Sequence, residues 1–355
     1  MKKVGIMTMH RVVNYGSYLQ AYGLRKIIKS LGHEVEFLDY HYCPGVTEVK
    51  PPTFFEKVWD NKDIFHYIKR RKLYKNFKNE LDKGLKKIGV GEEKNYSHDI
   101  DTLVIGSDEV FNCLQASQIG YSLDFFGKGF EDKNVISYAA SFGYTTLEGL
   151  KKYKKAEEIK ECLLNMNNIS VRDENSREIV EKLTKKKPFL HYDPVIAADL
   201  SEFMVGDAPM KDYIIVYAYQ KRLTKEEEKY IKRFAKKHNK KIVSLGFYQK
   251  IADYNIAVPV TDVLRYFKYA DFIITDTFHG TIFSIVTNNK FCTIIRKSNK
   301  NKLTSLLKGL DKDSQIVNKL TDIDKIYDKK ISYKNTNSII KKERERTIKY
   351  LKENI

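Results

Sequence analysis

The chain has 355 residues, 42% of them hydrophobic, and a formal net charge of +18. That length suffices for two domains that each bury a core, and no apolar run approaches the roughly 20 residues that would span a bilayer. The opening MKKVGIMTMHRVVNYG is interrupted by Thr8, His10 and Arg11, so it lacks a signal-peptide core and the cytoplasm is the expected compartment.

Three partners suit so large a positive charge: nucleic acid, an anionic membrane surface, or anionic substrates gathered by the field. No RNP signature, zinc finger or recognition helix stands out, so nucleic acid is not expected. Cys43, Cys113, Cys162 and Cys292 are scattered without a CxxC pair, which points away from a disulfide framework or a zinc site. Catalysis is expected to use neither a metal nor a cofactor.

In chain order, Val4 to Met9 reads as a strand, Tyr18 to Leu31 as a helix closed by Gly32, and Val35 to Leu38 as the next strand. The loop between the first two, His10 to Ser17, carries Asn14-Tyr15-Gly16-Ser17. Such loops, at the carboxyl ends of parallel strands, are where these sheets bind ligands. The loop is neither GxGxxG nor a Walker sequence, which argues against a dinucleotide or P-loop nucleotide. It also fits a plain turn with Ser17 as N-cap.

Residues 54 to 89 change in character: Phe54, Phe55, Trp59, Phe65, Tyr67, Tyr74 and Phe77 alternate with lysine and arginine. This predicts a basic, aromatic helical insertion, suited either to an anionic membrane surface or to ordinary core packing. Asp101 to Ser107 is a buried strand followed by Asp108, a carboxylate placed to orient or deprotonate a hydroxyl, or to cap a helix. Val135 to Ser141 repeats the strand-and-turn theme. Ile169 to Arg172 ends in an arginine whose guanidinium fork suits an anion or the adjoining Asp173 and Glu174.

After Tyr192-Asp193-Pro194, residues 196 to 210 read as a linker. A second unit follows: strand Ile214 to Ala218, helix 224 to 238, strand Ile242 to Leu245 and a short helix from Asp262 to Tyr269. It leads to ADFIITDTFHGTIFSIVTNNKFCTIIR, residues 270 to 296, which reads as strand, tight turn, helix and strand. The first N–H groups of that helix and its dipole favour an anion. Gly280 admits close approach, and His279 suits hydrogen bonding to a phosphate or carboxylate, or proton exchange. Capping by Thr277 or His279, with Gly280 relieving crowding, accounts for the same residues more plainly. A lysine-rich loop and a terminal amphipathic helix from about Asn335 complete the chain.

The ordered set NYGSYLQAYGL (14 to 24), LVIGSDEVFN (103 to 112), ISYAASFG (136 to 143), ISVRDENS (169 to 176), YDP (192 to 194) and ADFIITDTFHGTIFSIV (270 to 286) resembles the polysaccharide pyruvyl transferase family. The resemblance implies an α/β, GT-B-like fold: two Rossmann-like halves about a cleft and a C-terminal helix crossing back. The halves would be residues 1 to 205 on the acceptor side and 206 to 330 on the donor side, with the helix at 331 to 355. The implied reaction moves pyruvate from phosphoenolpyruvate onto two hydroxyls of a sugar or lipid-linked oligosaccharide as a cyclic ketal.

By the same resemblance His279 is catalytic and donor-binding, and Arg172 contacts the donor. Gly280, Thr281 and Thr277 adjoin that donor site, and His10, Asn14, Tyr15 and Ser17 are expected on the acceptor side, with Asp108 as a base. Some family members carry arginine where this chain has Thr277, and Phe111 stands for a more usual Trp; Arg296, Lys297 or Lys302 is expected to compensate for the arginine. Two other readings use the same layout: a nucleotide-sugar glycosyltransferase, or a non-catalytic glycan-binding member of an envelope assembly complex.

Overall fold

Strands apolar on both faces need cover on both sides, which a parallel α/β sheet supplies. The structure, a computed structural model, describes residues 1–47, 64–115 and 120–355. In the first half, β1 (Lys3–Met7), β2 (Glu34–Leu38), β3 (Thr102–Ile105) and β4 (Asn134–Ser137) form a parallel sheet in the order β2-β1-β3-β4. The short pair β5 (Ser170–Val171) and β6 (Phe189–Leu190) continues beside it through isolated bridges from Ile136 to Asn168 and from Ala140 to Val171.

The second half is a parallel six-stranded sheet. Its strands are β7 (Tyr213–Tyr217), β8 (Lys241–Leu245), β9 (Tyr254–Ile256), β10 (Phe272–Thr275), β11 (Phe291–Ile294) and β12 (Ile316–Val317), in the order β12-β11-β10-β7-β8-β9. In each sheet the winding direction reverses beside a central strand, between β1 and β3 and between β7 and β10. At those points the loops after the strands diverge and leave a crevice.

Local chemistry moves several boundaries. The first helix, Tyr15–Ser30, begins three residues before the expected Tyr18 because the Asn14 side chain accepts from the Gly16 N–H at 2.8 Å and caps it. Strand β4 ends at Ser137 and not at Ser141, since Ala139 takes a positive φ of 47°. Part of the expected linker is instead ordered into the helix Pro194–Ala197 and a 3-10 turn, Ser201–Met204. Strands β6, β9 and β12 are only two or three residues long, too short to show a periodicity.

The helix Ile64–Lys87 buries Leu73, Phe77, Leu81 and Leu85, one every fourth residue. Phe77 meets the Tyr15 ring at 4.3 Å and the Phe247 ring at 6.2 Å, so this stripe covers the junction of the two halves. Arg71, Lys72, Tyr74, Lys75 and Lys78 occupy exposed positions. Phe54, Phe55 and Trp59 lie outside the described residues, as does the side chain of Phe65. The last helix, Lys334–Asn354, returns to the first sheet. Tyr350 Oη donates to the Ser137 carbonyl at 2.8 Å, and Asn134 Nδ2 donates to the Asn354 carbonyl at 2.7 Å.

Candidate active site

Strand β3 ends in the turn Gly106-Ser107-Asp108. Gly106 has φ +120°, and a Cβ there would lie 2.2 Å from the Tyr138 carbonyl oxygen, so a side chain does not fit. Buried hydrogen bonds hold the turn: Thr8 Oγ1 donates to the Ser107 carbonyl at 2.9 Å, the Ser107 N–H to Gln20 Oε1 at 3.1 Å, and Ser107 Oγ to the Ala139 carbonyl at 2.7 Å. Asp108 follows at φ 81°, a left-handed conformation costly for a residue with a Cβ. Its carboxylate meets Arg172.

Arg172 is buried and joins two carboxylates: Nη2 donates to Asp108 Oδ1 and Nη1 to Asp193 Oδ2, both at 3.0 Å. Asp193 caps the helix Pro194–Ala197 by accepting from the Val195 N–H with Oδ1, which leaves Oδ2 for the arginine. From the second half, His279 Nε2 reaches to 3.4 Å of that same Oδ2, within ion-pair distance but without a hydrogen bond among the described residues. Burial alone would raise the Asp193 pKa. The His279 contact and the Arg172 charge outweigh it and hold the carboxyl below its usual range. Asp108 is likewise held low, its burial overcome first by Arg172 and then by His279.

This group borders a cleft of about 250 Å³ between the halves. Of the residues singled out in the sequence, Asn14, Ser17, Asp108, Arg172, His279 and Lys302 line it. Glu109, Tyr219, Arg222 and Phe278 line it as well, without having been singled out. Phe278 lies between two cations, with Arg172 Cζ 4.5 Å and Lys302 Nζ 5.6 Å from its ring centroid. Further contacts cross from one half to the other here: Lys302 pairs with Glu109, and Asn14 Nδ2 donates to Tyr219 Oη at 3.3 Å. The arrangement offers fixed positive charge, carboxylates for hydroxyl groups, and an imidazole nitrogen with no hydrogen-bond partner among the described residues.

Several expected site residues make scaffold contacts. Tyr15 is buried, and its hydroxyl accepts from the Val258 N–H at 2.8 Å and donates to the Val258 carbonyl at 2.9 Å, latching the first helix to the second half. Thr277 is a helix cap, accepting from the Gly280 N–H at 2.9 Å. Thr281 Oγ1 donates to the Thr277 carbonyl at 2.9 Å from a fully buried position. A Cβ on Gly280 would lie 2.2 Å from Thr275 Oγ1, so close internal packing is what requires glycine there.

Arg296 is bound to Asp276 and, through both terminal nitrogens, to Glu227 at 2.7 and 2.9 Å, which occupies it away from the cleft. Lys297 is exposed and outside the cleft lining. His10 is buried in a neighbouring cavity of about 630 Å³ that shares Met9 and Val12 with the cleft. Its Nδ1 bonds the Thr8 carbonyl, and burial lowers its pKa to about 4, so it is neutral at physiological pH.

The family described as polysaccharide pyruvyl transferase matches residues 14–298. The chain belongs to that family. The matched span begins at the Asn14 cap and contains Asp108, Arg172, Asp193 and His279, so the convergent group falls inside what makes this chain a polysaccharide pyruvyl transferase family member. No curated protein matches it. Among solved structures it is similar to S. aureus MnaA in its UDP co-structure, at 10% identity over 100% of this chain and 91% of that one, with a TM-score of 0.51. It is also similar to UDP-GlcNAc 2-epimerase from Neisseria meningitidis bound to UDP-GlcNAc, at 10% identity over 98% of this chain and 100% of that one, with the same TM-score. At such identity the likeness is one of fold, and that fold is GT-B-like, as the motifs implied.

Proposed function

We propose that this pyruvyl transferase family member moves pyruvate from phosphoenolpyruvate onto two hydroxyls of a sugar, in a cell-surface polysaccharide or its lipid-linked precursor, and closes a cyclic ketal. The observation that carries the reading is the meeting of Arg172 and His279, from opposite halves, on Asp193 beside one cleft. A proton passes from His279 to the methylene carbon, and the first sugar hydroxyl bonds to the adjoining carbon. Phosphate then leaves, and the second hydroxyl takes its place. One hydroxyl proton balances the new methyl group and the other departs with phosphate. Asp108, ionised and held by Arg172, is a weak base; in this reading it orients the attacking hydroxyl and receives its proton only as the C–O bond forms.

The acceptor would enter through the cavity beside His10. There Tyr42 and Tyr74 are half-exposed, and aromatic faces of this kind suit a sugar ring. Two measurements test the function. At a hundredfold excess over its Kd, phosphoenolpyruvate should stabilise the fold by about 2.7 kcal/mol, with UDP-GlcNAc as the comparison ligand. Incubation with phosphoenolpyruvate should add one pyruvyl ketal to a lipid-linked oligosaccharide acceptor, read by mass. Stabilisation by UDP-GlcNAc and none by phosphoenolpyruvate would replace this reading with sugar-nucleotide chemistry, and donor binding without turnover would favour a non-catalytic member.

Gly16 supplies a sharper test of the geometry. A Cβ at that position would lie 2.1 Å from His279 Nδ1, so Gly16→Ala must displace the imidazole. A misplacement of about 1 Å costs on the order of 10²-fold, and that loss is expected in kcat/KM with only a modest change in the urea midpoint. Unchanged kcat/KM would mean that the ring position is not critical.

No described helix is long and apolar enough to cross a membrane. Peripheral attachment is a separate proposal, resting on the exposed Arg71, Lys72, Lys75 and Lys78 of the helix Ile64–Lys87. Each basic residue near an anionic surface contributes about 1 kcal/mol. Co-sedimentation with anionic but not neutral vesicles, lost when these four residues are neutralised, is the expected result. Equal recovery with both vesicle types would remove the proposal.

A further inference from the structure

Among the described residues three lysine or arginine side chains line the cleft, and two of them are already neutralised. Arg172 lies between Asp108 and Asp193, and Lys302 is paired with Glu109. Arg222 differs. Among the described residues its guanidinium makes one hydrogen bond, from Nη2 to Ser298 Oγ at 2.8 Å, and the carboxylate oxygen within its reach, Asp276 Oδ1, stands 3.9 Å from Nη1. A guanidinium has five N–H donors, so most of them remain for a ligand. The Tyr219 ring, 5.0 Å from Arg222 Cζ, supports the group from one side, and Tyr219 is itself tied to Asn14 across the cleft.

Asp276 Oδ1 is fully buried and has no hydrogen-bond partner among the described residues, while Oδ2 takes Nε of Arg296 at 3.0 Å. It therefore stands behind Arg222 without occupying the donors of that arginine; burial raises its pKa, with the Arg222 and Arg296 charges acting against that rise. The loop bearing Arg222 follows β7, and the turn bearing His279 follows β10, its neighbour in the sheet. An anion in the crevice between these strand ends would meet both side chains. A phosphoryl group, with three acceptor oxygens, matches the guanidinium fork in charge and shape.

We propose that Arg222 binds the phosphoryl group of the donor and makes the cleft selective for a phosphorylated substrate. This rests on the donor assignment above, and it supplies from the loop after β7 the anion anchor that neither Thr277 nor Arg296 provides. The test is calorimetric titration of the full chain with phosphoenolpyruvate and with inorganic phosphate, for wild type, Arg222→Lys and Arg222→Gln. Arg222→Gln should weaken both ligands about tenfold to a hundredfold, the scale of charged hydrogen bonds, and Arg222→Lys should retain part of the affinity. In turnover, KM for the donor should rise while KM for the acceptor stays unchanged.

The side chain is partly exposed and makes one internal hydrogen bond, so both variants should melt close to wild type. Affinity of Arg222→Gln within about twofold of wild type for both ligands overturns the proposal. If wild type binds phosphate through Arg222 but does not bind phosphoenolpyruvate, the donor assignment falls and the anion site stands. No binding of either ligand by wild type overturns both.

Discussion

His279→Gln is expected to lower kcat by about 10²–10⁴-fold, the range for losing a general acid, with the fold retained. The ring is buried over Gly16 at the start of the helix Phe278–Val286, with Nε2 beside Asp193. Glutamine keeps a similar volume and hydrogen-bonding capacity there but cannot act as a general acid. Phosphate release from phosphoenolpyruvate in the presence of acceptor measures kcat, and a thermal melt reports the fold. A melt near that of wild type combined with near-wild-type kcat would reduce His279 to a packing residue and take the proton step away from it.

Arg172→Met should unfold more readily, by about 3–5 kcal/mol, the usual cost of removing one partner from a buried ion pair. The variant leaves Asp108 and Asp193 facing one another in a site nearly closed to solvent, with His279 and Lys302 too few to replace the lost charge. Adding Asp193→Asn to Arg172→Met should restore part of the stability, because one uncompensated carboxylate is gone. Urea unfolding of the two single variants and the double variant gives the coupling. A cost below about 1 kcal/mol for Arg172→Met would mean that the site is wetter than the burial of Arg172 indicates.

The same group fixes a pH dependence. In the folded state Asp108 and Asp193 are held below the usual carboxylate range. Their stabilising contribution is therefore full above the unfolded value of about 3.9 and is lost as pH falls through the lower folded values. Wild type should lose stability below about pH 4, and Arg172→Met should show little of that loss.

The architecture was readable because it rests on local signals. Apolar runs such as TLVI and FIIT, each ending in a turn residue, specify buried parallel strands; FIIT leads into the buried helix Phe278–Val286, while the described residues between TLVI and β4 hold only the 3-10 turn Leu123–Phe126. Strand-end position also marked Asp108, Arg172 and His279, because in a parallel sheet the loops after the strands are the ones that meet a ligand. Thr277 is a cap, as the sequence suggested, whereas the first helix is capped by Asn14 and not by the expected Ser17.

The assignment of charges was not readable in this way. Arg296 and Arg222 look alike in sequence, each beside a lysine and close to a helix. Glu227, 69 positions from Arg296 along the chain, occupies one of them, while Arg222 keeps most of its donors. Tyr15 sits in a motif that faces the ligand cleft, yet its ring points the other way and its hydroxyl latches onto Val258.

By itself, the sequence determined the order of strands and helices and which side chains stand at strand ends, since these follow from periodicity and neighbouring backbone groups. The tertiary structure alone decided which strand ends face one another across the cleft and which cations are already paired, because Coulomb attraction and burial depend on distance through space and not on separation along the chain.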